Sequence, residues 1–132
     1  MPLKLDLRPH EKLFLGGVVI VNGDSRCQLT VLNDAPVLRE KDIFKEEDAD
    51  TPCKRIYLAV QLMYMDEHNL ARYHQYYWEQ VRGVLDSAPS TTELITRISD
   101  AVLATHYYQA LKAARELIRY EQELVSNARK SA

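Results

Sequence analysis

The spacing of apolar residues changes from two to three-and-four near residue 44, and one kind of regular element cannot satisfy both patterns. Before that point the apolar positions alternate: Leu3, Leu5 and Leu7, then Leu13 and Leu15, then Val19 and Val21, then Cys27, Leu29 and Val31. A period of two marks short, half-buried strands. The punctuation agrees, since Pro9-His10 breaks the first run, Gly16-Gly17 permits a tight turn, Asn22-Gly23 carries the signature of a type I′ hairpin, and Asn33-Asp34-Ala35-Pro36 ends the fourth run. Five strands are predicted, at about 3–8, 11–15, 18–22, 26–32 and 37–40.

After residue 50 the period is helical. Thr51-Pro52 reads as an N-cap with proline at the first helical position, and Ile56, Ala59, Val60 and Met63 form one stripe. Asp66 is placed to cap a second helix carrying Leu70, Tyr73, Tyr77, Val81 and Val84, and Ser90-Thr91-Thr92-Glu93 reads as a capping box before Leu94, Ile98, Ala101 and Val102. Thr105 is expected to cap a fourth helix with two adjacent stripes, Leu111, Ala114, Ile118 and Val125 beside Ala110, Ala113, Leu117 and Leu124. The reading is therefore α+β: a small N-terminal antiparallel β-sheet in residues 1–44, a charged linker at 45–50, and an up-and-down helical array in 51–132. A sheet of about 40 residues buries too little to stand alone, so it is expected to pair with a second copy or with the rest of the chain.

Charge narrows the function. Seventeen Lys and Arg stand against nineteen Asp and Glu, so no bulk positive field holds nucleic acid. The balance is local too, with six of each sign through residue 44 and eleven basic against thirteen acidic beyond it. Cys27 and Cys53 make neither a CxxC pair nor a disulfide framework, and His68 and His74, six apart, fall on opposite helix faces, so no metal is expected. A reducing cytosol fits this cysteine usage. There is no signal-peptide pattern and no apolar run near the ~18 residues of a membrane span. No GxSxG, HExxH, GxxxxGK[ST] or GxGxxG pattern occurs, and the chain is read as a non-enzyme without a cofactor.

Two groups of residues remain. Tyr73, Tyr76, Tyr77 and Trp78 crowd one helix, and successive positions about 100° apart cannot all face one core. Core packing, a protein interface and a base-stacking platform are the three alternatives. Arg8 and Arg39 stand at strand ends, where they serve either as solvated edge guards or, if the first and last strands pair, as a bidentate grip on a phosphate or a guanine edge.

Taken whole, the sequence closely resembles the FlbT family of flagellin post-transcriptional regulators. The match is carried by Met1-Pro-Leu-Lys-Leu5, Val37-Leu-Arg-Glu-Lys-Asp-Ile43, Thr51-Pro-Cys-Lys-Arg-Ile-Tyr-Leu-Ala-Val-Gln-Leu-Met-Tyr64 and Tyr107-Tyr-Gln-Ala-Leu-Lys-Ala-Ala-Arg-Glu-Leu-Ile118. The resemblance implies a repressor of flagellum biogenesis that associates with the 5′ untranslated region of a flagellin messenger RNA and promotes its decay. It also implies a small helical protein partner, FlaF, and in some species a positive effect on flagellin.

The N-terminal third is similar as well to the carbon storage regulator family, through Leu3-Lys-Leu-Asp-Leu-Arg-Pro-His-Glu-Lys-Leu-Phe-Leu-Gly16 and Asn33-Asp-Ala-Pro-Val-Leu-Arg-Glu40. That likeness implies a dimer in which the first strand of one chain meets the last strand of the other and binds a GGA-containing loop. By position Arg8 and Arg39 match the RNA-contacting arginines, and Leu5, Val37 and Leu38 fall on backbone that reads bases. Asp6 and Leu7 replace a threonine and an arginine, and Leu38 a histidine, so positive charge is lost from that edge.

The leading expectation is a cytoplasmic, non-enzymatic regulator that binds a flagellin messenger RNA leader through Arg8 and Arg39. The alternative is an adaptor that binds FlaF or flagellin through Tyr73, Tyr76 and Trp78 and touches RNA only indirectly.

Overall fold

The alternation that begins at Leu3 produces strands β1 (Leu3–Leu7), β2 (Lys12–Leu15), β3 (Val18–Val21), β4 (Cys27–Val31) and β5 (Val37–Arg39). The computed structural model describes residues 2–131, and the chain divides into two units, Met1–Ile43 and Phe44–Ala132. In the first unit β1 pairs antiparallel with β4, Leu5 opposite Leu29, and β3-β2-β5 form a second antiparallel sheet, Leu13 opposite Ile20 and Arg39. Gly16 and Gly17, at φ 57° and 94°, supply the two left-handed positions of the turn that closes Leu15 on Val18.

One expectation is corrected here. The strands that flank Asn22-Gly23 do not pair with each other, because β3 belongs to β2 and β4 to β1. Within the one chain, the first and last strands lie in different sheets among the described residues. What unites the sheets is a shared core: Leu5, Leu7 and Leu13 are buried, and Leu15, Ile20, Cys27, Leu29, Val31 and Val37 pack against them. Each fully buried leucine contributes about 1.5–3 kcal/mol, and this is the driving force that period-two patterning provides.

The second unit contains α1 (Pro52–Met65), α2 (Leu70–Ser87), α3 (Thr92–Leu103) and α4 (Tyr107–Ser131). Thr51 caps α1 by accepting the Lys54 N–H at 3.2 Å. Helix α1 packs between α2 and α4, and α3 packs on α4. Helices α1 and α4 run antiparallel: Tyr64 meets Tyr108 at one end, and at the other the Glu121 carboxylate accepts from Thr51 Oγ1 at 2.5 Å and from the Cys53 N–H at 3.2 Å. Their interior is Ile56, Tyr57, Ala59, Val60 and Met63 against Ala110, Leu111, Ala114, Leu117 and Ile118. The two α4 stripes are buried only as far as Ile118, and Leu124 and Val125 are exposed.

Helix starts and stops depart from the sequence reading in three places. Asp66 caps a 3-10 turn, Glu67–Asn69, that leads into α2 rather than capping α2 itself. The expected capping box at Ser90–Glu93 does not form. Thr91 sits at the end of a second 3-10 turn, Pro89–Thr91, where its hydroxyl donates to the Ala88 carbonyl at 2.7 Å and its backbone, at φ −82° and ψ −3°, is helical instead of extended as an N-cap requires, so it makes no capping bond to α3. Ile95, not Leu94, is then the buried position of α3. Thr105 does not cap α4. It ends α3 in the left-handed region, φ 61°, with its N–H on the Val102 carbonyl at 3.0 Å and the His106 N–H on Ala101 at 2.8 Å, a Schellman closure made by threonine instead of glycine.

The acidic segment before α1 is tied to the helices. Phe44 exchanges two hydrogen bonds with the buried Gln61 side chain, at 2.7 and 2.9 Å, and its ring lies 4.7 Å from that of Tyr57. Glu46–Asp48 follow as a 3-10 turn, and Ala49 is buried.

Candidate nucleic-acid interface

The chain leaves β1 at Arg8 and returns into β2 through a turn whose residue His10 is left-handed at φ 62°. Glu11 closes that turn: its Oε1 accepts the Arg8 N–H at 2.9 Å. Its Oε2 accepts from Arg39 Nη1 at 3.1 Å, and the same Nη1 donates to the Asp6 carbonyl at 3.0 Å. Thus the end of β5 is tied to the end of β1 by a side chain even though the two strands do not pair. The hydrogen bond from the Arg8 N–H, aided by Arg39, holds the Glu11 carboxyl below its ordinary range.

Arg8 and Arg39 consequently line one cavity of about 620 Å³. Arg26 and Lys41 join them there, as does His10, with Asp6, Glu11 and Glu40 as the acidic lining. Charge on this surface is not evenly available. Glu11 occupies Arg39, and Glu40 faces Lys12 at 3.9 Å. The side chains of Arg8, Arg26 and Lys41 make no ion pair among the described residues. Three cations are left to meet an anion from solution.

Sequence reasoning missed Arg26, Lys41 and Asn22. Arg26 lies in the β3–β4 connection and Lys41 in a 3-10 turn after β5, positions with no periodicity to flag them. Asn22 did give a signal, but it does different work: its Nδ2 donates to the carbonyls of Arg8 at 2.8 Å, Ser25 at 2.9 Å and Leu7 at 3.4 Å. Its Oδ1 accepts from the Gly23 N–H at 2.9 Å and Cys27 Sγ at 3.2 Å. One amide therefore ties the backbone at Arg8 to the backbone at Ser25, the residue before Arg26. Of the remaining sequence candidates, Leu5 is in the core, Leu38 is buried opposite Phe14, and Val37 is half-buried.

In the helical unit Tyr73, Tyr76 and Trp78 are all half-buried. Tyr73 donates to Asp66 Oδ2 at 2.7 Å, and this bond raises its own phenol pKa. Trp78 stands edge-on to Tyr77, whose buried hydroxyl reaches Ser99 Oγ at 2.8 Å and whose pKa burial pushes up to about 12. Burial also raises the Tyr76 pKa. These aromatics are held mainly by their own unit. No group of three or more His, Cys, Asp or Glu among the described residues could hold a metal ion, and no helix there is long and apolar enough to cross a membrane.

The profile of the family described as "Flagellar protein FlbT" matches residues 3–125. The chain belongs to the FlbT family. A FlbT relative from Rhodopseudomonas palustris, named a probable flagellum biosynthesis repressor protein, is 41% identical over 126 residues, 96% of this chain and 99% of its own. One from a Caulobacter species, strain K31, with the same name, is 44% identical over 93% of this chain and 95% of its own. The Caulobacter vibrioides FlbT named flagellum biosynthesis repressor protein is 41% identical over 93% of this chain and 89% of its own. No solved structure matches the chain.

Proposed function

We propose that this FlbT protein represses flagellum biosynthesis after transcription, by binding the 5′ untranslated region of a flagellin messenger RNA and promoting its decay. The repressor role follows the names of relatives that align with nearly the whole chain. The RNA reading is supported by one observation: Arg8, Arg26 and Lys41 converge on a single cavity with no ion-pair partners among the described residues. In a chain of net charge −2, affinity then comes from a few placed cations. In this reading the cleavage falls to cellular nucleases, and the protein acts in the cytoplasm.

Binding of the purified chain to a flagellin leader, followed across a salt series, tests this. Arg8→Ala with Arg26→Ala is expected to lower affinity at least tenfold and to flatten the salt dependence by roughly one to two charges. Unchanged affinity in the double variant sinks the site.

A second reading has its own observation. Leu103 is 67% exposed and Tyr108 42%, and Lys112 Nζ lies 5.1 Å from the Tyr108 ring. An adaptor that holds FlaF or flagellin would use such a surface instead of Tyr73, Tyr76 and Trp78. Retention of either protein after ribonuclease treatment, lost with Leu103→Asp, favours it.

A further inference from the structure

We infer that Asp6 and Gln28 form a base-reading pocket beside the arginines, one that accepts a base bearing an exocyclic amino group and disfavours uracil. The inference rests on the RNA reading above and adds the recognition chemistry. A second cavity of about 520 Å³, lined by Asp6, Leu7, Arg26, Cys27 and Gln28, shares Asp6 and Arg26 with the first. A strand crossing the arginines therefore has somewhere to place a base.

The carboxylate is the telling group. In a groove that only gripped phosphates, an exposed Asp6 among Arg8, Arg26 and Arg39 would weaken every contact. Instead it is oriented. Asp6 and Gln28 are register partners across β1 and β4, and Gln28 Nε2 donates to Asp6 Oδ1 at 3.3 Å. The Asp6 carbonyl is tied at the same time to Arg39. Asp6 Oδ2 accepts no hydrogen bond among the described residues, and the Gln28 amide oxygen is likewise open. The pocket thus presents two open acceptor oxygens, Asp6 Oδ2 and the Gln28 amide oxygen, with Arg26 among its lining residues.

Acceptors select donors. Adenine, cytosine and guanine each carry an amino group that a carboxylate oxygen can receive, whereas uracil flanks its single N–H with two carbonyl oxygens that the carboxylate repels. Arg26 supplies a planar cation to stack on the base or to hold the adjoining phosphate. A purely structural Asp6–Gln28 pair would support β1–β4 pairing and leave base preference untouched.

Anisotropy titrations of the full chain with single-stranded oligo(A), oligo(C) and oligo(U) of about 10 nucleotides at one low salt concentration decide between these. The wild-type chain is expected to bind oligo(A) and oligo(C) about tenfold more tightly than oligo(U). Asp6→Asn, which can donate as well as accept, brings the three within about threefold, chiefly by improving oligo(U). Gln28→Ala keeps the charge but frees the carboxylate to rotate, so it too narrows the ratio, and it carries the test should Asp6→Asn fold poorly by circular dichroism. A ratio unchanged by both variants, or a uniform rise in affinity with Asp6→Asn, overturns the pocket while leaving RNA binding intact. Absence of binding to all three RNAs and to a flagellin leader overturns the RNA reading and the pocket together.

Discussion

Glu11 Oε2 lies 3.1 Å from Arg39 Nη1, so one carboxylate both closes the turn after β1 and neutralises the cation at the end of β5. Arg39 is thereby a structural latch as much as a ligand group. Glu11→Gln should release it: leader affinity at low salt is expected to rise severalfold, with a salt slope steeper by about one phosphate contact. Because the Glu11 carboxyl is held below its ordinary 4.5, its contribution to stability is present above that pH and fades as pH falls. Chemical denaturation of the variant should accordingly lose pH dependence in the acid range. Reduced leader affinity at low salt would refute the latch.

Asn22 donates to three carbonyls with one amide. Asn22→Ala removes all three and is expected to cost about 2 kcal/mol, the range for polar groups stripped of their partners. Asn22→Asp keeps the acceptor for Gly23 and Cys27 but cannot donate, and should recover little. Urea unfolding monitored by circular dichroism provides the comparison, and a loss under about 0.5 kcal/mol, the size of a neutral surface change, would show that the amide is dispensable.

Thr105 adopts φ 61° with a β-branched side chain, a conformation that costs a non-glycine residue roughly 1–2 kcal/mol. Thr105→Gly is therefore expected to stabilise the chain by about 1 kcal/mol, less than the full strain because glycine also gains freedom when unfolded. Equilibrium denaturation reads this directly, and a destabilised Thr105→Gly variant would contradict the strained Schellman assignment.

Asp66 is drawn from 3.8 to about 2, first by the Tyr73 hydroxyl, then by Asn69 and the His68 N–H. A depressed carboxyl stabilises the fold above its unfolded pKa and ceases to do so as pH falls through the folded one. The stability gap between the wild-type chain and Asp66→Asn should thus be constant above pH 4 and close between about 4 and about 2. Thermal melts stepped through that interval test it, and a gap that persists at pH 2 would assign the effect to packing instead.

Element type was readable wherever pattern and burial coincided. Leu5, Leu7 and Leu13 reach the core that period two assigns them, and Ile56, Val60 and Met63 do the same for α1. Pairing partners were less legible. Asn22-Gly23 has the chemistry of a hairpin turn, yet the shared core draws β4 to β1, and tertiary burial outweighs local turn preference. Helix ends failed for a similar reason: Thr91 and Thr105 are good cap formers by type, but Thr91 ends a 3-10 turn with helical angles and Thr105 closes α3 in the left-handed region, so neither has the extended backbone of an N-cap. Of the candidate site, Arg8 and Arg39 were visible at strand ends. Arg26 and Lys41 were not, since a connection has no period, and only the path of the chain brings them beside the strands.

The Glu121 clamp on Thr51 and Cys53 also separates one helix into two lifetimes. Upstream of it, α4 amides are shielded by the buried residues from Ala110 to Ile118, so their hydrogens exchange with solvent only when the whole helical unit opens. From Gln122 to Lys130 every residue is exposed, and fraying of the last turns suffices. A continuous 25-residue helix should therefore show an abrupt fall in exchange protection within a turn of Glu121, with a static end that belongs to the fold and a breathing end that any encounter can reshape.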